Sequence, residues 1–148
     1  MSHFLQAKSK ITDQEALVRA LVEKGFKESQ IKVSATPIPM VGYFGRTGDQ
    51  KANIILPKSV TGHHSDIGFL KDTDGTFTAI VDEYGSGNRY GKTWRTDLYQ
   101  EAKAQEAIMS LEQRKIPYTR TMTDGKLRIE AIIKDSSSSS LVKPLVRA

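Results

Sequence analysis

Apolar and polar side chains alternate roughly along the N-terminal segment Ser2–Ile11. A period of two residues is typical of a strand with one exposed face, so we predict the first strand there. Thr12 and Glu15 follow with the spacing of a capping box, which marks the start of a helix. That helix is expected to be about 12 residues long, because Gly25 can end it in the left-handed conformation. The side chains predicted to point from it into the core are Leu17 and Leu21.

The middle of the chain has the pattern of extended segments broken by turns. Pro37 and Pro39 disfavour a central strand, and the clearest strand pattern is Ala52–Leu56. The polar residues 58–64 are expected to form a surface loop. A hairpin is predicted after this loop, with strands Asp66–Leu70 and Thr76–Val81 joined by the turn Asp72–Gly75.

A second helix is the most strongly patterned element of the chain. Asp97 and Gln100 have the spacing of a helix cap, and apolar residues recur at helical intervals from Leu98 to Leu111. Pro117 forces the chain out of the helix. The chain is then predicted to close with a hairpin, whose strands Tyr118–Met122 and Lys126–Ile133 flank Thr123–Gly125.

These elements predict an α+β fold. Helices over residues 12–24 and 97–115 would pack on one face of a mostly antiparallel sheet, in a loosely ferredoxin-like arrangement. At 148 residues the chain is expected to hold one compact unit, which we assign to residues 1–135. The five-serine run after Asp135 has no apolar surface to bury, so residues 136–148 are predicted to be a flexible Ser-rich tail.

Composition restricts the chemistry. The chain has no Cys, which excludes disulfides, thiolate nucleophiles, thiolate zinc sites and cysteine-held iron–sulfur clusters. No apolar run is long enough to span a membrane and no signal-peptide pattern is present, so we expect a soluble cytoplasmic protein with no membrane association. The net charge is +5, of which Lys143 and Arg147 in the tail supply +2. The remaining weakly basic part permits attraction to acidic surfaces or phosphates. No cofactor is expected.

The most suggestive segment for binding lies within residues 84–96, which are predicted to form a loop rich in glycine. Its guanidinium groups and aromatic rings could anchor a protein partner, or could contact phosphates and stack on bases. The structural alternative is that the single Trp of the chain closes the core against the second helix. The candidate partner-binding or anion-binding residues are Arg89, Tyr90, Lys92, Trp94 and Arg95.

Catalytic and metal-binding patterns are weaker. His63 and His64 could bind a metal with Asp66 as a third ligand, although adjacent side chains usually diverge and an exposed polar loop is the favoured interpretation. Asp66 and Asp82 are the carboxylate pair that we would test for acid–base or magnesium chemistry. His3 is expected to lie at the start of a strand and not to act as a catalytic base. The motif Gly85-Ser86-Gly87 lacks the strand-loop-helix spacing of a phosphate-binding loop.

Several short motifs occur in a fixed order along the chain. They are Met1–Phe4, Ile11, Ala16–Leu21, Gly42–Arg46, Asp66–Phe69, Val81–Asp82, Tyr99 and Asp124–Arg128. Taken in this order, they resemble a conserved family of plastid and cyanobacterial reading frames, the one numbered thirty-five, whose domain has no known function. The resemblance covers about residues 1–134, and the chain departs from it in a longer insertion over residues 58–64 and in the serine-rich extension.

The resemblance implies a conserved soluble accessory protein and supplies no catalytic residues. It also makes the plastid stroma, for a plastid-encoded protein, the alternative to a cytoplasmic location. It also implies a connection to AAA-type ATPases or to small electron-transfer proteins, near whose genes members of that family are thought to occur. Our leading hypothesis from the sequence is therefore a non-catalytic adaptor that binds another protein through a sheet edge or through residues 84–96. The alternatives are a nucleic-acid-binding module and, from another class, a carboxylate-dependent hydrolase.

Overall fold

The computed structural model describes residues 4–42, 47–82, 89–134 and 140–147. These residues form an α+β fold, as the sequence predicts, and every paired strand is antiparallel to its neighbour. The helices are α1 (Gln14–Glu23), α2 (Lys58–Thr61) and α3 (Lys92–Gln113), with a 3-10 turn at Glu28–Gln30. The strands are β1 (Phe4–Lys8), β2 (Lys32–Val41), β3 (Thr47–Leu56), β4 (Ile67–Lys71), β5 (Phe77–Asp82), β6 (Tyr118–Thr123), β7 (Lys126–Lys134) and β8 (Ser140–Arg147).

The larger sheet has five strands in the order β1-β5-β4-β3-β2. Strands β2 to β5 form a meander and β1 joins beside β5, so the resemblance to a ferredoxin-like arrangement is only a loose one. Pro37 and Pro39 lie in β2, which is an edge strand, where a residue without a backbone N–H is tolerated. The register of β2 against β3 shifts between Val33 and Ile38. Asn53 bridges this irregular region, because its amide donates to the carbonyls of Ser34 and Ala35.

One face of this sheet carries α1 and α3. Leu17 and Leu21 of α1 are fully buried there against Phe69 of β4 and Leu98 of α3, as their helical spacing predicts. The start of α1 differs from the prediction by one residue. Asp13, not Thr12, is the N-cap, and its side chain accepts the backbone N–H of Ala16. Either residue type is a good cap, so the sequence alone does not choose between them.

Residues 58–64, predicted to be a surface loop, contain the short helix α2. Its end is set by Gly62, whose φ of 73° is left-handed. The following hairpin of β4 and β5 agrees with the prediction, with the backbone N–H of Gly75 donating to the carbonyl of Asp72 in the turn.

The N-cap of helix α3 lies six residues earlier in the chain than the predicted cap. This N-cap is Gly91, and Asp97 lies inside the helix. The extension is favoured because Trp94 and Arg95, in its first turns, pack against Tyr90. The sequence pattern missed this start, since the glycines before Lys92 indicate a loop and the apolar spacing begins only at Leu98.

The C-terminal half of α3 covers a second sheet of three strands, in the order β6-β7-β8. Ile108 and Leu111 of α3 pack there on Leu127 and Ile129 of β7. The hairpin of β6 and β7 turns at Asp124 and Gly125, which both have positive φ, as a two-residue turn of the favoured hand requires.

The strand β8 was not predicted. The sequence analysis assigned its residues to a flexible tail, whereas the backbone of Ser140–Arg147 pairs with β7. A strand is weakly marked in this segment because Lys143 and Pro144 interrupt its short apolar runs. Pairing along β7 supplies the backbone hydrogen bonds that the isolated segment lacks.

The second face of the five-stranded sheet has a small core of its own. Met40, Ala52, Ile55 and Ile80 are each at most 1% exposed there. The end of β2 reaches over this face, since the backbone of Val41 exchanges hydrogen bonds with Asp66 in front of β4. A Cβ atom added to Gly68 would lie 2.5 Å from the sulfur of Met40 and 2.7 Å from the Cβ of Ala52. Gly68 is therefore the position that lets Met40 pack onto the sheet.

An ion pair attaches the smaller sheet to the helix. Arg120 of β6 donates from Nη1 to Oε2 of Glu101 at 2.7 Å and from Nη2 to Oε1, and Gln105 donates to Oε2 at 2.9 Å. Burial opposes ionisation of Glu101, but these hydrogen bonds outweigh it, and the pKa of Glu101 is lowered from its ordinary value.

Among the described residues, no helix is both long and apolar enough to cross a membrane.

We predict that Gly68→Ala lowers the free energy of unfolding by about 1–3 kcal/mol, because the added methyl group overpacks the contact with Met40 and Ala52. The measurement is urea unfolding at neutral pH. In an uncrowded strand the same substitution would stabilise the protein, so the sign of the change is informative. Adding Met40→Ala should cost less in the Gly68→Ala background than in the unmodified chain. If the Gly68→Ala variant is at least as stable as the unmodified protein, Met40 does not pack against this position.

We predict that Glu101→Gln lowers the free energy of unfolding by about 1–2 kcal/mol at pH 7 and by much less at pH 3. The pKa of Glu101 is depressed in the folded protein, so its stabilisation is complete above the unfolded pKa near 4.5 and is lost as pH falls through the folded pKa. Urea unfolding at both pH values measures the difference. Glu112→Gln, which removes an exposed pair with Arg19 from the same helix, is the matched control with a smaller expected effect. A loss for Glu101→Gln that is equal at both pH values would contradict this account.

Candidate partner-binding surface

The aromatic residues near the start of α3 form a connected set. The ring of Trp94 meets the ring of Tyr90 edge-on, with centroids 5.0 Å apart and an interplanar angle of 90°. Trp94 also meets Phe26, which follows α1, at 6.5 Å and 86°. These edge-to-face contacts are favourable and restrict the orientation of the Trp94 ring. Trp94 and Phe26 remain partly exposed, while Tyr90 is buried.

Tyr90 is held in place by polar contacts on its other side. Its hydroxyl donates to the carbonyl of Thr61 at 2.7 Å, and its own carbonyl accepts a hydrogen bond from Nη1 of Arg95 at 3.3 Å. The ring of His63 lies edge-on to the Tyr90 ring at 5.8 Å. Residues 89–95 are therefore fastened to the end of α2 and to the segment that follows it.

The five predicted contact residues do not share one surface. Tyr90 and Arg95 are only 5% and 7% exposed. Their side chains form internal contacts of the segment and are not available to a partner. Arg89 is exposed, with its guanidinium 5.4 Å from the centre of the Tyr90 ring. Lys92 is also exposed, but residues two apart on a helix point about 200° from each other, so Lys92 and Trp94 lie on opposite sides of α3. Residues 84–88 of the predicted loop lie outside the described residues.

The sequence analysis did not single out Phe26, which contacts Trp94 from the segment after α1. Lys27 is exposed next to Phe26, and Lys24 lies 3.9 Å from Asp97, one turn along α3 from Trp94. Thr93 is exposed beside Trp94. We define the aromatic patch as the four residues Phe26, Lys27, Thr93 and Trp94. No local sequence signal joins Phe26 to Trp94, because they are brought together only by the packing of α1 on α3.

The two adjacent histidines do not diverge as the sequence suggested. Their rings lie 4.3 Å apart, and both contact Asp82 at the end of β5. Nε2 of His63 donates to the backbone carbonyl of Asp82 at 2.7 Å, and Nε2 of His64 lies 3.1 Å from Oδ2 of the buried Asp82 carboxylate. His63 itself is 7% exposed, so it belongs to the interior and not to an exposed loop.

Asp66 is not the third member of this histidine cluster. Its Oδ2 accepts the backbone N–H of Val41 and its Oδ1 accepts that of Lys58, both at 2.9 Å. A buried carboxylate with a backbone donor on each oxygen is explained by its structural role, in which it fastens β2 and α2 to the start of β4. Within the ranges that the structure describes, no three His, Asp or Glu side chains converge to hold a metal ion. His3 and the motif Gly85–Gly87 lie outside those ranges.

No protein-family model, curated protein or solved structure matches this chain. The resemblance to the plastid and cyanobacterial family therefore stays a prediction from the sequence motifs.

We predict that Tyr90→Phe lowers the free energy of unfolding by about 1 kcal/mol, since it removes the hydrogen bond to the carbonyl of Thr61 and leaves the ring contacts in place. Urea unfolding measures the loss. Amide hydrogen exchange should accelerate in residues 61–66 and 89–95, because these two segments are joined through this hydroxyl. Unchanged stability together with unchanged exchange would show that the hydroxyl does not connect them.

Proposed function

We propose that the protein is a non-catalytic adaptor that binds a protein partner through the aromatic patch. The observation that supports the proposal most directly is that Trp94 is held edge-on between Tyr90 and Phe26 while part of its surface stays exposed. Rigid, partly exposed aromatic residues are characteristic of the anchor positions that dominate protein interfaces, because little conformational entropy is lost when they are covered.

The electrostatics near the patch favour an acidic partner segment. Lys27 is exposed beside Phe26, and Arg89 is exposed beside Tyr90 at the same end of α3. The first turn of α3 adds partial positive charge, since its N-cap is Gly91, which has no side chain to accept the free N–H groups. The proposed partner therefore presents an apolar side chain to Trp94 and Phe26, with acidic residues next to it.

A direct test uses Thr93→Glu, which adds a negative charge next to Trp94. An acidic residue in the first turn of a helix is favourable, so the variant is expected to remain as stable as the unmodified protein. Thr119→Glu, at an exposed position of β6 in the other sheet, is the matched control. We expect partners captured from the cells that make the protein to fall at least tenfold with Thr93→Glu and to be unchanged with Thr119→Glu, as measured by quantitative mass spectrometry.

Two results would overturn this proposal. One is recovery of the same partners by the Thr93→Glu variant. The other is capture that disappears after nuclease treatment and weakens steeply with salt, which would indicate a nucleic-acid-binding module instead.

The AAA-type ATPases and small electron-transfer proteins implied by the sequence resemblance are the first candidates to examine among the captured proteins.

A further inference from the structure

A separate pocket lies on the side of α3 that faces away from Trp94. It is bounded by the chain from Lys8 to Ile11 after β1, by the turn between β4 and β5, and by α3. Thr96 and Lys103 of α3 contribute to its wall, and both point to the opposite side of the helix from Trp94. The volume of the pocket is about 810 Å³, within the usual range of small-molecule sites. It is therefore distinct from the aromatic patch.

The base of the pocket is apolar. Ile11 is 1% exposed and closes the base from behind, and the half-buried Tyr99 on α3 supplies the apolar surface that a ligand can reach. The Tyr99 hydroxyl is buried near the backbone of Ala79, and burial raises the pKa of Tyr99 to about 12. Tyr99 is thus uncharged at neutral pH, and the base of the pocket carries no negative charge that would repel an anion.

The rim of the pocket is positively charged. Its charged residues are three lysines and one aspartate. Lys8 pairs with Asp74 at 2.6 Å, and Lys103 pairs with Glu106 at 3.2 Å. Lys10 is exposed, and in the described part of the chain no carboxylate lies within ion-pair distance of it. Lys10 is therefore the cation at this rim that can best receive an anionic group from a ligand.

We propose that this pocket binds a small amphipathic carboxylate, with its hydrocarbon chain against the ring of Tyr99 and its carboxylate at Lys10. An apolar base next to a positive rim matches the two ends of such a molecule. A cationic ligand would be repelled by the lysines. A sugar or a nucleobase would lose hydrogen bonds to water against the apolar base without replacing them.

The test measures binding of decanoate to the full chain by titration calorimetry, below the concentration at which decanoate forms micelles, with chemical shifts of backbone amides to locate the site. We expect shifts in residues 8–11, 74–76 and 96–103. Octanoate should bind roughly tenfold more weakly, because it buries two fewer methylene groups. Decanamide, which has the same chain length and no charge, should also bind at least about tenfold more weakly.

Two variants separate the two halves of the site. Lys10→Glu should weaken decanoate at least about tenfold and leave decanamide unchanged, because it reverses only the charge at the rim. Thr96→Trp should weaken both ligands, because the indole fills the space along α3. Lys32→Glu, at an exposed position on the far edge strand, is the charge-matched control and should bind decanoate normally.

The proposal is overturned if decanoate does not bind, if its chemical-shift changes lie outside the pocket, or if Lys10→Glu binds it as tightly as the unmodified protein. Equal affinity for decanoate and decanamide would also overturn it. Because Lys10 is exposed, its substitution leaves the fold intact, so the result does not depend on how well Thr96→Trp folds. Neither variant alters the aromatic patch, so failure here leaves the adaptor proposal unaffected.

Discussion

One face of α3 is buried along most of the helix, and both sheets are built against it. Near its start, Leu98 and Ala102 contact α1 and the five-stranded sheet, and further along Ile108 and Leu111 contact the three-stranded sheet. Burial of apolar side chains of this kind is the main favourable term in folding. Because one rigid helix belongs to both cores, the two sheets are held together through it. The pair of Glu101 and Arg120 adds a directional contact between the helix and the smaller sheet.

The same helix determines where the candidate sites lie. Side chains that leave the buried face of α3 on one side meet α1, and there Trp94 joins Phe26. Side chains that leave it on the other side meet the chain after β1, and there Thr96 and Tyr99 border the pocket. The proposed protein-binding surface and the proposed small-molecule site thus flank a single helix, and the helix periodicity separates their residues.

Buried contacts support the aromatic patch from behind. Tyr90 is joined to the end of α2 through its hydroxyl, and His63, which follows α2, contacts the end of β5. Polar groups in such a position must be hydrogen-bonded to be stable, and these bonds restrict the segments to one arrangement. Trp94 rests on this base, so its exposed surface is presented in a defined orientation.

The sequence by itself determined the α+β class, the helix α1, most of α3 and the two hairpins that follow α2 and α3. These elements depend on local periodicity, on turn residues such as Gly75 and Gly125, and on Pro117, all of which act within a few residues of chain. The sequence also indicated the segment that contains Trp94. It did not distinguish Tyr90 and Arg95, which are buried, from Arg89 and Lys92, which are exposed, because neighbours in a chain can point in opposite directions.

Only the tertiary structure decided which distant residues meet. The pairing of Phe26 with Trp94, the contact of both histidines with Asp82, the use of Asp66 as a structural carboxylate and the pairing of β8 with β7 each join segments that are far apart along the chain or that carry a weak local signal. The pocket beside α3 has walls from three separate parts of the chain. Such contacts form because packing the apolar face of α3 brings these segments together, and the energy of that packing outweighs the local preferences that a single sequence displays.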